Sequence, residues 1–403
     1  MTQSPENLFI RPGFPDFLDL PWGLPLNEWN ESCSRIEYVP KGLSRHVVKF
    51  VNYDGVIFAV KELPPSLAEK EFSMLREIED MKLPSVTPVG HASTLTSQGP
   101  TSILVTRHLN GSIPFRLLFL GQSYQRYRKH LLGAIAGLLV QLHLAGVYWG
   151  DCSLSNALFR RDAGTLQAYL VDAETSEVYP GEIKPALRYH DLEIMEQNIN
   201  GEIIDLQASK ELIDIVKVVP VSEVGAYIRI QYQRLWEEIT KELIINKGEY
   251  YRIQERIRAL NDIGFSVGNV ELAPVEEGNQ LRIQVAITDR NFHRDQLLGL
   301  SGLDVEELQA QKMMNEIQEI KATLSQDHNR STPLSVAAFH WLENIYKPFS
   351  NWLFPFVNDH TSLPELYCNL LEHKWFLSEN AQYDVGHQVA IDDYLTNFYP
   401  HLD

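Results

Sequence analysis

Asp151 and Asn156, five residues apart in "WGDCSLSN", follow the apolar stretch "LLVQLHLAGVYW" and precede a second aspartate, Asp172, which ends the run "AYLVD". Between Asn156 and Asp172, "ALF" and "QAYLV" flank the turn-like "RRDAGT", a pattern that predicts a small hairpin. This order of apolar helix, polar loop, hairpin and carboxylate constrains the fold more than any other feature of the chain. A D-x-x-x-x-N spacing lets one loop aim a carboxylate at a hydroxyl and an amide oxygen at a metal. Alone it is common by chance, and an Asp at a strand end is often only a cap or turn residue. The information lies in the succession.

Upstream, "RIEYVP", "HVVKFVN" and "VIFAVKEL" are short β-rich runs, and Asp54-Gly55 between the last two predicts a two-residue hairpin turn. The segment from Arg35 onward therefore reads as an antiparallel sheet. Alternation along "VIFAVK" turns Lys61 to the face opposite its apolar neighbours. The next stretch, "SLAEKEFSMLREIEDM", places Leu67, Phe72, Leu75, Ile78 and Met81 at helical spacing. Glu69, Glu71 and Glu77 of this helix compete as partners for Lys61. Glu71 is favoured because Leu75, at i+4, anchors the same helix face to the core. Pro84 and Pro88 end the helix, "TSILVTRHL" supplies a further strand, and "YQRYRKHLLGAIAGLLVQLHLAG" is a helix leading to the Asp151 loop.

Phosphoryl transfer from a nucleotide asks few groups of a protein, since positioning and charge neutralisation do most of the work. It needs a cation on the phosphates, a carboxylate to fix that cation, metal ligands and a base facing the acceptor. Lys61, Glu71, Asp151, Asn156 and Asp172 offer these in an informative order.

The stretches "VIFAVK", "EFSML", "LHLAGVYWGDCSLSN" and "LVDAE" resemble the strand-three lysine, helix glutamate, catalytic loop and metal-binding aspartate of the protein-kinase-like superfamily. The compact lobe, and Gly150-Asp151 in place of Arg-Asp, resemble bacterial lipopolysaccharide-kinase-like and aminoglycoside-phosphotransferase-like proteins. "DLPWGLPLNEW", "GLSRHVVKFV", "LNGSIPFRLLF" and "LEHKWFLSE" are similar to bacterial proteins in which such a domain precedes a domain of unknown function, family 4032.

The resemblance implies an α+β, two-lobed kinase-like fold with a small antiparallel β N-lobe, a helical C-lobe and a mainly helical α+β C-terminal domain. It implies ATP and Mg²⁺ as cofactors. Lys61 would contact the α/β-phosphates and pair with Glu71, Asp151 would orient or deprotonate the acceptor hydroxyl, and Asn156 and Asp172 would hold Mg²⁺. The loop with Gly42, Ser44 and Arg45 would cover the phosphates, and Thr106 to Leu109 would face adenine. The sequence departs from protein kinases in three places: "KGLSRH" carries a single glycine, Trp149-Gly150 replaces His-Arg, and Ala173-Glu174-Thr175 follows Asp172. No arginine awaits a phosphorylated activation loop, and no A-P-E string follows Asp172 to mark the peptide-docking part of a protein kinase. Protein Ser/Thr, a sugar and a metabolite all stay open as acceptors. A pseudokinase-type scaffold acting through its C-terminal domain is the alternative to an enzyme.

The chain of 403 residues suits two or three domains, expected as a strap over 1–35, an N-lobe over 36–109, a C-lobe over 110–220 and a further domain over 221–403. A formal charge of −18 argues against nucleic acid as a partner. No signal peptide or membrane-spanning run is legible, and Cys33, Cys152 and Cys368 form neither a CxxC pair nor a disulfide framework. A cytoplasmic protein is expected, with a protein partner for the C-terminal domain as the minority reading of its aromatic residues.

The remaining residues of interest have ordinary expected roles. His143 is expected to be buried and bonded to the catalytic loop, Glu174 to be solvated or salt-bridged, Cys152 to be incidental, and His190-Asp191 to lie on a charged helix face. Trp341, Trp352 and Trp375 are expected in the core of the C-terminal domain. "FHRDQLLGL" contains a literal His293-Arg294-Asp295, but Leu300 stands where an Asn is needed, and a polar turn before a helix is expected there.

Overall fold

The computed structural model describes residues 5–39, 45–120, 128–208, 223–241, 243–246, 269–274, 280–286, 291–327, 330–357 and 361–398. The chain divides into two compact units, one comprising residues 1–160 with 167–241, the other 161–166 with 242–403. The boundary expected at residues 220–221 lies outside the described residues.

The first unit opens with β1 (Asn7–Ile10), the single-turn helix α1 (Trp29–Ser32), β2 (Ile36–Glu37), β3 (Val48–Tyr53), β4 (Val56–Leu63), α2 (Leu67–Asp80), β5 (Thr87–Thr96) and β6 (Gly99–Arg107). The strands form one antiparallel sheet in the order β1-β5-β6-β4-β3-β2. Asp54 and Gly55 join β3 to β4 with φ of 53° and 85°, the left-handed pair that a tight hairpin turn requires.

The N-terminal segment is more regular than an extended strap. Its β1 pairs with β5, and Phe17, Leu20, Trp22, Leu26 and Trp29 are fully buried in one cluster with Val51, Phe58 and Val60 of the sheet. Large apolar side chains give this segment a core of its own to enter, which fixes it to the lobe. The strand β5 escaped the sequence reading because Pro84 and Pro88 argued against it. Pro88 is accommodated at a register irregularity between Pro88 and Gly90. At Gly90 a Cβ would lie 2.3 Å from the Phe9 carbonyl oxygen, so the close approach of β1 needs a glycine.

The lower part of this unit contains β7 (Ile113–Pro114), α3 (Phe115–Leu120), α4 (Arg128–Leu144), β8 (Val147–Tyr148), β9 (Ala157–Asp162), β10 (Thr165–Leu170), β11 (Glu177–Val178), α5 (Pro185–Ala208) and α6 (Val224–Thr240). The helix α6 packs on both α4 and α5, β9 lies between β7 and β10, and β8 pairs with β11. An antiparallel-sheet lobe followed by a helical lobe makes this an α+β, kinase-like architecture. The Asp151 loop runs from β8 to β9.

In the second unit, β12 (Leu243–Asn246), β13 (Asn269–Pro274) and β14 (Gln280–Ala286) form an antiparallel sheet in the order β12-β14-β13. Among the described residues six α-helices follow: α7 (Phe292–Ser301), α8 (Glu307–Asp327), α9 (Leu334–Trp341), α10 (Lys347–Leu353), α11 (Leu363–Ala381) and α12 (Gly386–Phe398). Residues 161–166 belong to this unit. Asp162 accepts hydrogen bonds from the amides of Leu308 and Gln309 at the start of α8 (3.1 and 2.9 Å), and Glu365 accepts from those of Ala163 and Gly164 (2.8 and 2.9 Å).

Two expectations for this unit need correction. Trp341 is fully buried, but Trp352 and Trp375 are 57% and 63% exposed, because a Trp is buried only where its helix face meets the core, and Trp375 shares its face with the exposed Glu372 and Glu379 at helical spacing. His293, Arg294 and Asp295 form no turn before a helix; they are the first turn of α7, where His293 bonds to Glu307 and Arg294 to Asp304.

Candidate active site

In β4, Phe58 and Val60 point into the buried cluster shared with the N-terminal segment, and alternation turns Lys61 to the other face. There its Nζ lies 3.1 and 3.0 Å from the two carboxylate oxygens of Glu71 and 2.7 Å from Oδ2 of Asp172. Of the three candidate glutamates, Glu71 is therefore the partner. It is fully buried on the face of α2 that also buries Phe72, Leu75 and Ile78.

One ammonium serving two carboxylates leaves the cluster net negative. Burial, and then the charge of Asp172, push the Glu71 carboxyl up to about 7 against the pull of Lys61. Burial alone would lower the Lys61 pKa, but the charges of Glu71 and Asp172 outweigh it and raise it above the usual lysine value.

Asp172 follows β10 directly, and its Oδ1 accepts the amide of Glu174 (3.1 Å). The Val171 amide donates to the Asn156 carbonyl (3.1 Å), so the hairpin brings its two ends side by side. Asn156 donates from Nδ2 to the Asp151 carbonyl (3.0 Å) and to Asp151 Oδ2 (3.2 Å). These two bonds use the Asn156 amide nitrogen and leave its amide oxygen uncommitted by them. A carboxylate and an amide oxygen next to surplus negative charge suit a hard divalent cation that takes its other ligands from phosphate and water. No cluster of three or more His, Cys, Asp or Glu suited to a metal occurs among the described residues.

The loop carrying Asp151 is held by residues that the sequence reading missed. Asp191 is no member of a solvated helix face. It is fully buried, accepting the amides of Trp149 (2.8 Å) and Gly150 (2.9 Å) and contacting His143 Nε2 (3.1 Å). Farther along the same face of α5, Glu202 accepts the amides of Leu154 (2.8 Å) and Ser155 (2.9 Å). Gly150 adopts φ +78°, and a Cβ there would lie 2.9 Å from the Thr175 carbonyl oxygen, so glycine is needed before Asp151. The signal available in the sequence was spacing: residues 191 and 202 lie eleven apart, three helical turns on one face.

His143 is buried and reaches the loop through Asp191 rather than directly. Its Nδ1 lies 2.7 Å from the Tyr232 hydroxyl, and burial lowers its pKa, despite Asp191, below the usual histidine value. The neutral ring therefore donates from Nε2 to Asp191 and accepts from Tyr232 at Nδ1. An unfolded His143 takes up a proton near its ordinary pKa of about 6.5, whereas the folded one resists it. The expected result is stability that declines as pH falls through about 6.5, in part because of this group. His143→Gln should flatten that part of a melting-temperature profile, and an unchanged slope would remove His143 as its source.

Gly42 and Ser44 lie outside the described residues. Arg45, 80% exposed on its side chain, extends its guanidinium to Asp151 Oδ2. Thr106 is buried on β6 opposite Ala59, and Leu109 lies just past the strand end, its carbonyl accepting the Ser112 amide (3.1 Å). Glu174 pairs with His46 (3.4 Å). Cys152 is completely buried, which shields it from alkylation, and burial pushes its thiol well above the ordinary range.

Residues 41–213 match the family described as the lipopolysaccharide kinase (Kdo/WaaP) family. Residues 234–399 match a domain of unknown function, DUF4032. The chain thus carries a lipopolysaccharide-kinase-like domain followed by a DUF4032 domain. A solved structure described as WaaP in complex with acyl carrier protein aligns with 16% identity and a TM-score of 0.34, covering 58% of this chain and all of that one. No curated protein matches. Among the described residues no helix is long and apolar enough to cross a membrane.

Proposed function

We propose that the first unit is an ATP- and Mg²⁺-dependent phosphotransferase acting on a hydroxyl acceptor. The observation that carries the reading is the meeting of Lys61, Glu71 and Asp172 in one ion-paired cluster, with the Asn156 backbone bonded to Val171, next to Asp172 in the chain, and Asp151 on the same loop as Asn156. In this reading Lys61 holds the α/β-phosphates and Glu71 fixes the lysine. Asn156 and Asp172 would hold Mg²⁺, which when bound neutralises phosphate charge. Thr106 and Leu109 flank the adenine, and Arg45 lies next to the loop that covers the phosphates.

Asp151 accepts or orients the proton of the acceptor hydroxyl as its oxygen attacks the γ-phosphorus. The bond from that phosphorus to the β,γ-bridging oxygen breaks, and the nucleoside diphosphate leaves. The family description favours a sugar hydroxyl over a protein side chain or another metabolite. The protein is expected to work in the cytoplasm, and its C-terminal domain offers the surface for a protein partner.

The test is the melting temperature of the purified chain with ATP, with and without Mg²⁺, beside Lys61→Ala and Asp172→Ala. Ligand at about one hundred times its Kd stabilises by about 2.7 kcal/mol, enough to be read as a clear upward shift. A Mg²⁺-dependent rise in wild type that both variants lose is the expected outcome. No rise at millimolar ATP would overturn the nucleotide site and favour the scaffold alternative.

A further inference from the structure

Asp191 and Glu202 hold the backbone on either side of Asp151, but a fixed backbone does not fix a carboxylate. The side chain still turns about two bonds, and transfer requires one of its oxygens to face the acceptor. Among the described residues three donors reach it. Arg45 contacts Oδ2 from an exposed position at the edge of the sheet lobe, and Asn156 reaches Oδ2 at 3.2 Å. The third is Asn198, whose Nδ2 donates to Oδ1 at 2.8 Å.

Asn198 differs from the other two. It lies on α5 between Asp191 and Glu202, seven residues after the first and four before the second, so it shares the helix face that anchors the loop. The same Nδ2 donates to the Cys152 carbonyl oxygen at 3.3 Å, which fixes the plane of the amide with two acceptors. Its group is neutral. A lysine or arginine in this place would neutralise the carboxylate that has to accept a proton, whereas an amide orients it and leaves its charge in place. With Oδ1 tied to α5, Oδ2, reached by the amide of Asn156 and the exposed guanidinium of Arg45, is the oxygen left to face an acceptor.

We propose that Asn198 is a positioning residue for phosphoryl transfer: it sets the rotamer of Asp151 from the helix beneath the loop. The inference rests on the phosphotransferase reading and assigns to that site a residue outside the nucleotide- and metal-binding set. Loss of the bond leaves Asp191 and Glu202 holding the backbone, so binding and chemistry should separate.

The experiment uses the full chain with Asn198→Ala and Asn198→Asp, the second nearly isosteric but without a donor. Release of labelled phosphate from γ-labelled ATP in Mg²⁺ is followed with water as acceptor. Expected is a fall in kcat of about 10- to 100-fold in Asn198→Ala, the size typical of misplaced reacting groups and lost orienting partners, with KM for ATP within about twofold of wild type. Asn198→Asp should fall at least as far, because its shape is kept and its hydrogen bond is not. Wild-type kcat in Asn198→Asp would overturn the proposal, as would a loss of kcat matched by a weakened KM and a lowered melting temperature.

Crystals of Asn198→Ala give a readout independent of turnover. The Asp151 carboxylate is expected to leave its place, and an unmoved carboxylate refutes the positioning role even if the phosphotransferase reading holds. Absence of phosphate release together with absence of a Mg²⁺-ATP melting shift in wild type counts against that reading itself, and the crystals still decide whether Asn198 sets the rotamer.

Discussion

Asp151→Ala is expected to lower phosphoryl transfer by about two to four orders of magnitude, the usual worth of a positioned general base, while the Mg²⁺-ATP melting shift persists. The separation follows from the geometry. Asp151 contributes no contact to the Lys61, Glu71 and Asp172 cluster, and Asn156 keeps its bond to the Asp151 backbone carbonyl when the side chain is removed. Asp151→Asn sharpens the test, since the amide occupies the same space but cannot take a proton. Rates are best compared in a single turnover, where release of the diphosphate does not mask chemistry. Wild-type rates in both variants would move the proton acceptor elsewhere. Equal loss of binding and turnover would mean that the side chain supports the nucleotide site rather than the acceptor.

The second large effect is on stability. Asp191→Ala leaves the amides of Trp149 and Gly150 and the Nε2–H of His143 without the fully buried carboxylate that accepts from them. Each orphaned buried donor costs about 1 to 3 kcal/mol, and breaking a buried charged network costs about 3 to 5 kcal/mol in all. At about 2 to 4 °C per kcal/mol for a unit of this size, the melting temperature should drop by about 10 °C. Asp191→Asn should recover part of the loss, because its amide oxygen still accepts. A melt within a degree or two of wild type would show that the loop amides find other partners.

The site residues that could be read from the sequence are those whose position follows from local periodicity. Lys61 is placed by strand alternation, Glu71 by the helix face it shares with Leu75, and Asp151, Asn156 and Asp172 by a loop and a hairpin that keep them close along the chain. Asp191, Asn198 and Glu202 share one helix face by their spacing, but nothing in the sequence says that this face meets the loop. They meet the loop across about 40 residues, and on α5 they flank the buried Leu192, Met195 and Ile199, so a polar residue beside an apolar stripe reads as a solvated edge. What makes them buried is a row of backbone amides opposite, which composition does not reveal. The strand β5 was hidden for a related reason. Proline argues against a strand on propensity, and only the irregularity at Pro88 and the pairing with β1 make room for it.

Residues 161–166 stand in the first unit's stretch of sequence yet belong structurally to the second. The polypeptide therefore leaves one unit, lends six residues to the other and returns, between Asn156 and Asp172. At the level of the gene, the two parts are interleaved rather than placed end to end. A coding sequence stopped after Lys241 would remove α8 and α11 and leave the amides of Ala163 and Gly164 and the carboxylate of Asp162 without these partners. Recombination that exchanged one C-terminal part for another would have to carry a matching hairpin tip with it, so heredity treats the two units as one piece.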